Sequence, residues 1–182
     1  TNNTNSTIKT TMDTWYKNNL TAYTSKLADE TFCNDRSISS GTGYKLDSHT
    51  FYEAWNRNAD KRTPSLKCAQ DNDKFKVSSV SAKLDYPVAL ITADEMAMAG
   101  GSRYFTNTNY YLYNGQNQWS LSPSAFGASS SCSYVWSMMS SGTLYSWDSV
   151  IQSFGVRPVI NLKADTLIIK GDGSALNPFT VS

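Results

Sequence analysis

YYLYNGQNQWSLSPSAFGASSSCSYVWSMMSSGTLYSW, residues 110–147, decides the fold. Its apolar residues alternate with polar ones, the period of a half-buried strand. Tyr110 to Tyr113 reads as a strand, Asn114-Gly115 as a type I′ turn, and Trp119 to Leu121 as the return strand. Tyr134 to Met139 and Thr143 to Trp147 flank Ser140-Ser141-Gly142, the pattern of a hairpin with a short loop. In that hairpin Tyr134, Trp136 and Met138 share one face, and Val135 and Met139 the other. Between the strands, residues 122–133 (SPSAFGASSSCS) read as a shaped loop of small residues.

The same region nearly stops using charge. Between Gly101 and Phe154 only Arg103 and Asp148 are charged. Tyr, Trp, Ser, Asn and Gly replace charge, and that palette suits recognition. Tyr and Trp give rigid contact area, while Ser, Gly and Asn give adaptable hydrogen bonding. The stretch lacks the His, Glu and Lys that proton transfer near neutral pH draws on. The candidate ligand-binding residues are Tyr110, Tyr111, Tyr113, Trp119, Tyr134, Trp136, Tyr145 and Trp147, with Asn117 and Ser146 as polar neighbours.

Upstream, residues 88–101 (VALITADEMAMAGG) carry the clearest local signal. Val88 to Ile91 reads as a buried strand. Thr92-Ala-Asp-Glu95 is a capping box, and Gly100 suits the left-handed residue after a short helix. Asp94 and Glu95 resemble a catalytic pair only superficially, because carboxylates in a first turn favour the helix dipole. Ile8, Met12, Trp15, Tyr16 and Leu20 recur at helical spacing behind Ser6 or Thr7. This predicts a helix over 7–19 after a flexible extension of residues 1–7. Phe51, Tyr52, Ala54 and Trp55 suggest one or two helical turns, and residues 40–44 (SGTGY) a loop. Downstream, Val156 to Leu162 and Leu167 to Ile169 read as strands, the first with Pro158 near its start. Residues 171–174 and Asn177-Pro178 read as turns. Arg157 must be paired or reach water. The expected role is to bond loop carbonyls or an acid and tie the 101–154 loops to the sheet. The alternative is a ligand-facing cation.

The 182 residues fit one domain, 1–182, and a net charge of +1 points to no nucleic-acid partner. No apolar run approaches the ~20 residues of a membrane span, so no direct membrane insertion by this segment is expected. Of the three cysteines, Cys33 and Cys68 lie in two polar, loop-like segments. In an oxidising compartment a disulfide between them would staple the charged half and leave Cys132 over. In a reducing cell all three are free thiols. Without a CxxC or a Cys/His cluster, no metal is expected, and no cofactor. The single histidine, His49, beside Cys33 or Cys68 could form a thiol–base pair. No third orienting group stands out, so an enzyme is not expected.

The order of motifs resembles a known family. FCNDR (32–36), YPVALITADEMAMAGG (86–101), YYLY (110–113), WSLSPS (119–124), YVWSMMSSGTL (134–144), GVRPVINL (155–162) and GDGSALNPF (171–179) are similar to a module of surface and secreted proteins in gut Firmicutes. The arrangement also resembles the C-terminal half of C-type-lectin-like folds, including variable proteins diversified by retroelements. That resemblance implies an α+β fold with helices in the N-terminal half and short antiparallel strands and long loops in the C-terminal half. It implies a binding surface between Tyr110 and Phe154, closed by Gly155-Val156-Arg157-Pro158. It also implies an extracellular, cell-surface or phage-particle location, and with it the Cys33–Cys68 bond. The Glu-Pro-Asn, Gln-Pro-Asp and Trp-Asn-Asp motifs of calcium-dependent lectins are missing. The expected function is adhesion to a protein or glycan on another cell or particle, in one version by a diversified receptor-binding protein. The alternative is a structural subunit of a pilin-like filament or cell-envelope assembly, as part of a larger protein.

Overall fold

A computed structural model of the chain describes residues 4–43, 48–128, 132–174 and 176–182. The chain is a mixed α/β domain with few helices and antiparallel sheets. The elements are α1 (Thr7–Asn19), β1 (Phe32–Cys33), β2 (Ile38–Ser40), β3 (Thr50–Tyr52), α2 (Glu53–Trp55), β4 (Lys74–Phe75), α3 (Ala93–Met98), β5 (Gln118–Phe126), β6 (Ser133–Met138), β7 (Leu144–Ser149), β8 (Ile168–Lys170) and β9 (Thr180–Val181). A π-helical turn, Asn56–Lys61, continues α2. The central five-stranded sheet runs β2-β3-β5-β6-β7, and β1-β4 and β8-β9 are separate pairs.

Each face of the central sheet is covered. Ser6 caps α1 by accepting from the Lys9 amide at 3.2 Å. Met12 and Tyr16, one turn apart, are buried with Leu27, Val88, Leu90 and Trp119. Trp15 points away and is partly exposed. A second cluster joins Ala54, Ala59, Ala93, Met96, Tyr110, Trp136, Met138 and Leu144. Trp119 and Leu121 of β5 serve the first cluster, while Ser122 accepts from the Ala93 amide at 2.9 Å. That bond satisfies a donor that the start of α3 cannot satisfy within the helix. The Thr92–Glu95 capping box is present, and Gly100 has φ +113°.

Several expectations change. Four strands precede residue 101, so helices do not own the first half. Phe51 and Tyr52 belong to β3, and the helical turn begins only at Glu53. The expected extension stops short of Thr7, which opens α1. Tyr110–Tyr113 is a turn closed by the Tyr113 amide on the Tyr110 carbonyl, not a strand. Asn114 keeps a negative φ, so Asn114-Gly115 is not a type I′ turn. Instead, Asn114 Oδ1 takes the Gln116 amide. Strand β5 runs through Ser122–Phe126, the first part of the expected loop, and Ser133 opens β6; residues 129–131 of that loop lie outside the described residues, as does Tyr44. Val88–Ile91 and Val156–Leu162 form no ladder strand: they meet each other through the Ala89–Val159 bridge, and β5 reaches this region through the Leu121 amide on the Ile91 carbonyl and the Gln118–Gly155 bridge. Gly155–Pro158 therefore forms no closing ladder strand. Pro158 has no amide proton to give a ladder.

The hairpin of β6 and β7 stands as read, with Met138 opposite Leu144. Gly142 turns it at φ +85°, and a Cβ there would meet the Asn107 carbonyl oxygen at 2.5 Å. Only glycine fits both demands. A register shift between Val135 and Ser137 bulges this pairing.

Candidate functional site

Strand β7 sets the site. Its burial runs opposite to the usual rule: Ser146 and Asp148 point inward with Leu144, while Tyr145 and Trp147 point outward. Trp147 is half-buried because other rings surround it. Tyr134 meets it edge-on at 5.2 Å, Phe51 at 5.7 Å and His49 at 5.8 Å. Phe51 in turn packs on Trp55 at 4.3 Å. Three separate segments supply these rings. They meet because Phe51 pairs with Ala125, and Ala125 pairs with Tyr134. Opposed residues share a face, so the Phe51 and Tyr134 rings stand on either side of Ala125, and the Trp147 indole meets both. Beside the cluster, the Arg103 guanidinium lies 5.9 Å from the Trp55 ring centre. The Arg62 guanidinium lies 3.9 Å from that of Tyr104.

The candidate residues divide. Tyr134, Tyr145 and Trp147 come together at this surface. Tyr111 is 80% exposed but stands on the separate 110–113 turn. Tyr113 and Asn117 are half-exposed beside the β6–β7 hairpin: the Tyr113 hydroxyl donates to the Ser140 carbonyl at 2.8 Å, and Asn117 Oδ1 accepts from the Ser140 amide at 2.7 Å. Four candidates are buried and offer no binding face. They are Tyr110, Trp119, Trp136 and Ser146. Trp136 sits in a central strand with layers on both sides, and Trp119 stacks on Phe154 at 4.5 Å. Tyr110 donates its hydroxyl to the Met138 sulfur at 2.6 Å, and burial pushes its pKa up to about 12 against the opposing pull of Arg157. Arg157 donates to the Leu112 carbonyl at 2.7 Å, joining the 110–113 turn to the Gly155–Pro158 segment. His49, Phe51, Trp55, Arg103, Arg62 and Tyr104 were not among the candidate binding residues read from the sequence. The aromatic spacing of FYEAW was its only trace.

A second feature is polar. A pocket of about 180 Å³ is lined by Cys33, Asp35, Arg57, Lys67, Asp94 and Glu95 among others. Arg57 donates from Nε and Nη2 to the two oxygens of Asp94 at 2.8 and 2.9 Å, and from Nη1 to Asp35 at 2.7 Å. Asp94 also takes the Ser65 amide at 2.9 Å, so it does far more than complement a helix dipole. Burial alone would raise the Asp35 carboxyl. Hydrogen bonds from Arg57 and Ser37 outweigh it and hold Asp35 below the usual carboxylate range. The wall is fastened by a disulfide between Cys33 and Cys68, with Cys132 free. Neither bonded cysteine has a thiol for His49 to activate. Arg57, Asp35 and Asp94 are spent on one another and Glu95 on the Thr92 cap, and the pocket reads as a brace. Among the described residues, no group of three or more His, Cys, Asp or Glu could hold a metal ion.

Comparison with known proteins adds no relative. No family model, no curated protein and no solved structure matches the chain. The disulfide is of the kind that oxidising, extracellular compartments preserve, and no helix among the described residues is long and apolar enough to cross a membrane. The functional reading therefore rests on the geometry of the ring cluster and its arginines.

Proposed function

We propose that the domain is an extracellular recognition module, C-type-lectin-like in architecture and related to surface and secreted proteins of gut Firmicutes. In this reading it adheres to a protein or glycan on another cell or particle through the Phe51–Trp55–Tyr134–Trp147 cluster and Tyr145. The observation that carries it is the inverted burial of β7. Burying Ser and Asp while turning Tyr and Trp outward does nothing for core packing. Departures from the local rule are expected where function needs them. Aromatic faces stack on sugar rings and serve as hot spots in protein interfaces. The test is a glycan array beside a pull-down, each with wild type and Trp147→Ala. Truncating this central ring should cost about 2 kcal/mol or more of binding, the hot-spot scale, with the circular dichroism spectrum unchanged. Ligand capture that ignores Trp147→Ala would sink the assignment.

One observation favours the structural-subunit reading. Leu167, Ile168, Ile169 and Phe179, in and around the β8–β9 pair, are all more than half exposed. Such a patch suits assembly. Sedimentation of wild type against Ile168→Lys decides: a concentration-dependent oligomer lost in the variant supports it, and a monomer at all concentrations removes it.

A further inference from the structure

Arg62 and Arg103 are charged groups that the fold does not use for pairing. Among the described residues the ion pairs involve Lys9, Arg36, Arg57 and Lys74, and neither Arg62 nor Arg103 joins one. Asp60, on the same helical turn as Arg62, pairs with neither. Both guanidinium groups instead lie against rings, Arg103 on Trp55 and Arg62 on Tyr104. One geometry holds all four residues. Arg103 and Tyr104 are chain neighbours, and the Tyr104 hydroxyl donates to the Ala59 carbonyl, midway between Trp55 and Arg62. The 103–104 segment therefore runs along the 55–62 helical stretch. The ridge Arg62–Tyr104–Arg103–Trp55 then joins the ring cluster through Trp55 and Phe51.

Arg62 is also the one described non-glycine residue in the left-handed region, at φ 55°. It closes the π-helical turn, a position where glycine is the relaxed choice. Strain of this kind concentrates at ligand clamps. Here it serves to lay a guanidinium on the Tyr104 face. A guanidinium stacked on a ring keeps its N–H edge free, and that edge matches a carboxylate in two parallel hydrogen bonds.

We infer that this ridge and the adjoining rings bind a carboxylated sugar, the rings stacking on pyranose faces and Arg62 and Arg103 taking the carboxylate groups. The inference rests on the recognition reading above and names its ligand class. Two further points favour a saccharide over a protein. The footprint is a few rings and two cations, whereas a standard protein interface engages roughly 20–30 residues a side. Neither the charged pocket nor the apolar pocket lined by Met96 and Met138, which holds only about 50 Å³, is lined by these rings.

The test is titration, followed by Trp fluorescence and NMR shifts, with hexagalacturonate, its fully methyl-esterified form and 3′-sialyllactose. A mixed Glu/Tyr hexapeptide serves as the macromolecular alternative. The acid hexamer, the sialoside or both should bind at least tenfold more tightly than the ester. Which one does so separates chain-internal uronic acids from terminal sialic acid. Arg103→Gln should lose most of that margin, and Arg103→Lys should keep only part of it. Arg62→Gly should lose affinity while its Tm holds or rises, because glycine suits that backbone; this keeps the result distinct from misfolding. Equal binding of acid and ester, untouched by the arginine variants but lost in Trp147→Ala, would overturn the inference and leave the recognition reading standing. Tighter binding of the peptide than of either acid sugar would overturn the saccharide assignment. No binding by any of the four probes would also overturn it, and the array and pull-down would then judge the broader reading.

Discussion

The two halves of this chain treat charge in opposite ways. Before residue 101, charge is turned inward and paired: Arg57 bridges Asp35 and Asp94, Arg36 holds Asp73, and a disulfide fastens the segment above them. Between 101 and 154, charge is nearly gone. The one acid there, Asp148, is buried with a serine hydroxyl as partner, and the one base, Arg103, lies on an indole. The first half is locked by directional contacts that satisfy Asp35, Arg57, Asp73 and Asp94, and it leaves Arg62 against a ring. The second half holds a regular sheet and leaves rings and a cation unspent. Bracing thus belongs to the first half, while the recognition surface draws Phe51, Trp55 and Arg62 from the first half and Arg103, Tyr134 and Trp147 from the second.

Breaking the brace should have the largest effect. Arg57→Met leaves two buried carboxylates facing each other without a cation. Removing one partner of a buried pair typically costs about 3–5 kcal/mol, and urea unfolding should show a loss of that size. The pH dependence should change as well. Asp35 is held below its unfolded value, so its contribution is present above the ordinary carboxylate pKa and is lost as pH falls through the folded value. In Arg57→Met that acid-side loss should shrink. A variant as stable as wild type would show that the ion network does not brace this half. Next comes the disulfide. Replacing Cys33 and Cys68 by Ala together opens a loop with a separation of 35 residues. The chain-entropy scale puts the loss at about 3–4 kcal/mol. The loss should fall on the unfolding midpoint and leave sugar titration of the ring cluster unchanged, since the cluster lies outside the pocket the disulfide lines. Loss of binding in a folded double variant would erase the separation between the brace and the ring surface.

Local chemistry was legible in the sequence, and long-range pairing was not. The Ser6 cap, the Thr92–Glu95 box and the glycine turn at Gly142 depend on residues a few positions apart, and each lies where its pattern placed it. Alternation also marked β6 and β7 as strands. It could not say whether a strand has one covered face or two. Trp119 and Trp136 went into the core because α1 covers one side of the sheet and α2 and α3 the other. Phe51 and Trp55 reached the surface cluster through the β3–β5 pairing, a contact across more than seventy residues that no local pattern encodes. Asp35, Arg57 and Asp94 met for the same reason. Apolar runs misled in another way: Val88, Ala89 and Leu90 are buried and Val156, Val159 and Ile160 half-buried, yet neither run lies within a ladder. Burial accounts for their composition without strand pairing.

The smallest predicted effect sharpens the contrast most directly, because it concerns a buried acid without a cation. Asp148 accepts from the Ser137 hydroxyl, and no ion pair among the described residues includes it. Burial raises its pKa, and the serine hydrogen bond offsets only part of that rise. The folded state therefore holds the proton more tightly than the unfolded chain does. Its contribution is full at low pH and is lost as pH climbs from the unfolded value through the folded one. This is the reverse of Asp35. Asn keeps the shape and an acceptor for Ser137 but cannot ionise. Asp148→Asn should thus stabilise the domain by about 1 kcal/mol at neutral pH, the scale of one buried hydrogen bond. The gain should fade toward zero below about pH 4, where an ordinary aspartate is protonated. Unfolding free energies measured across that range give the answer. A variant less stable than wild type at neutral pH would mean that the Asp148 charge is compensated after all, and the second half would then share the bracing chemistry of the first.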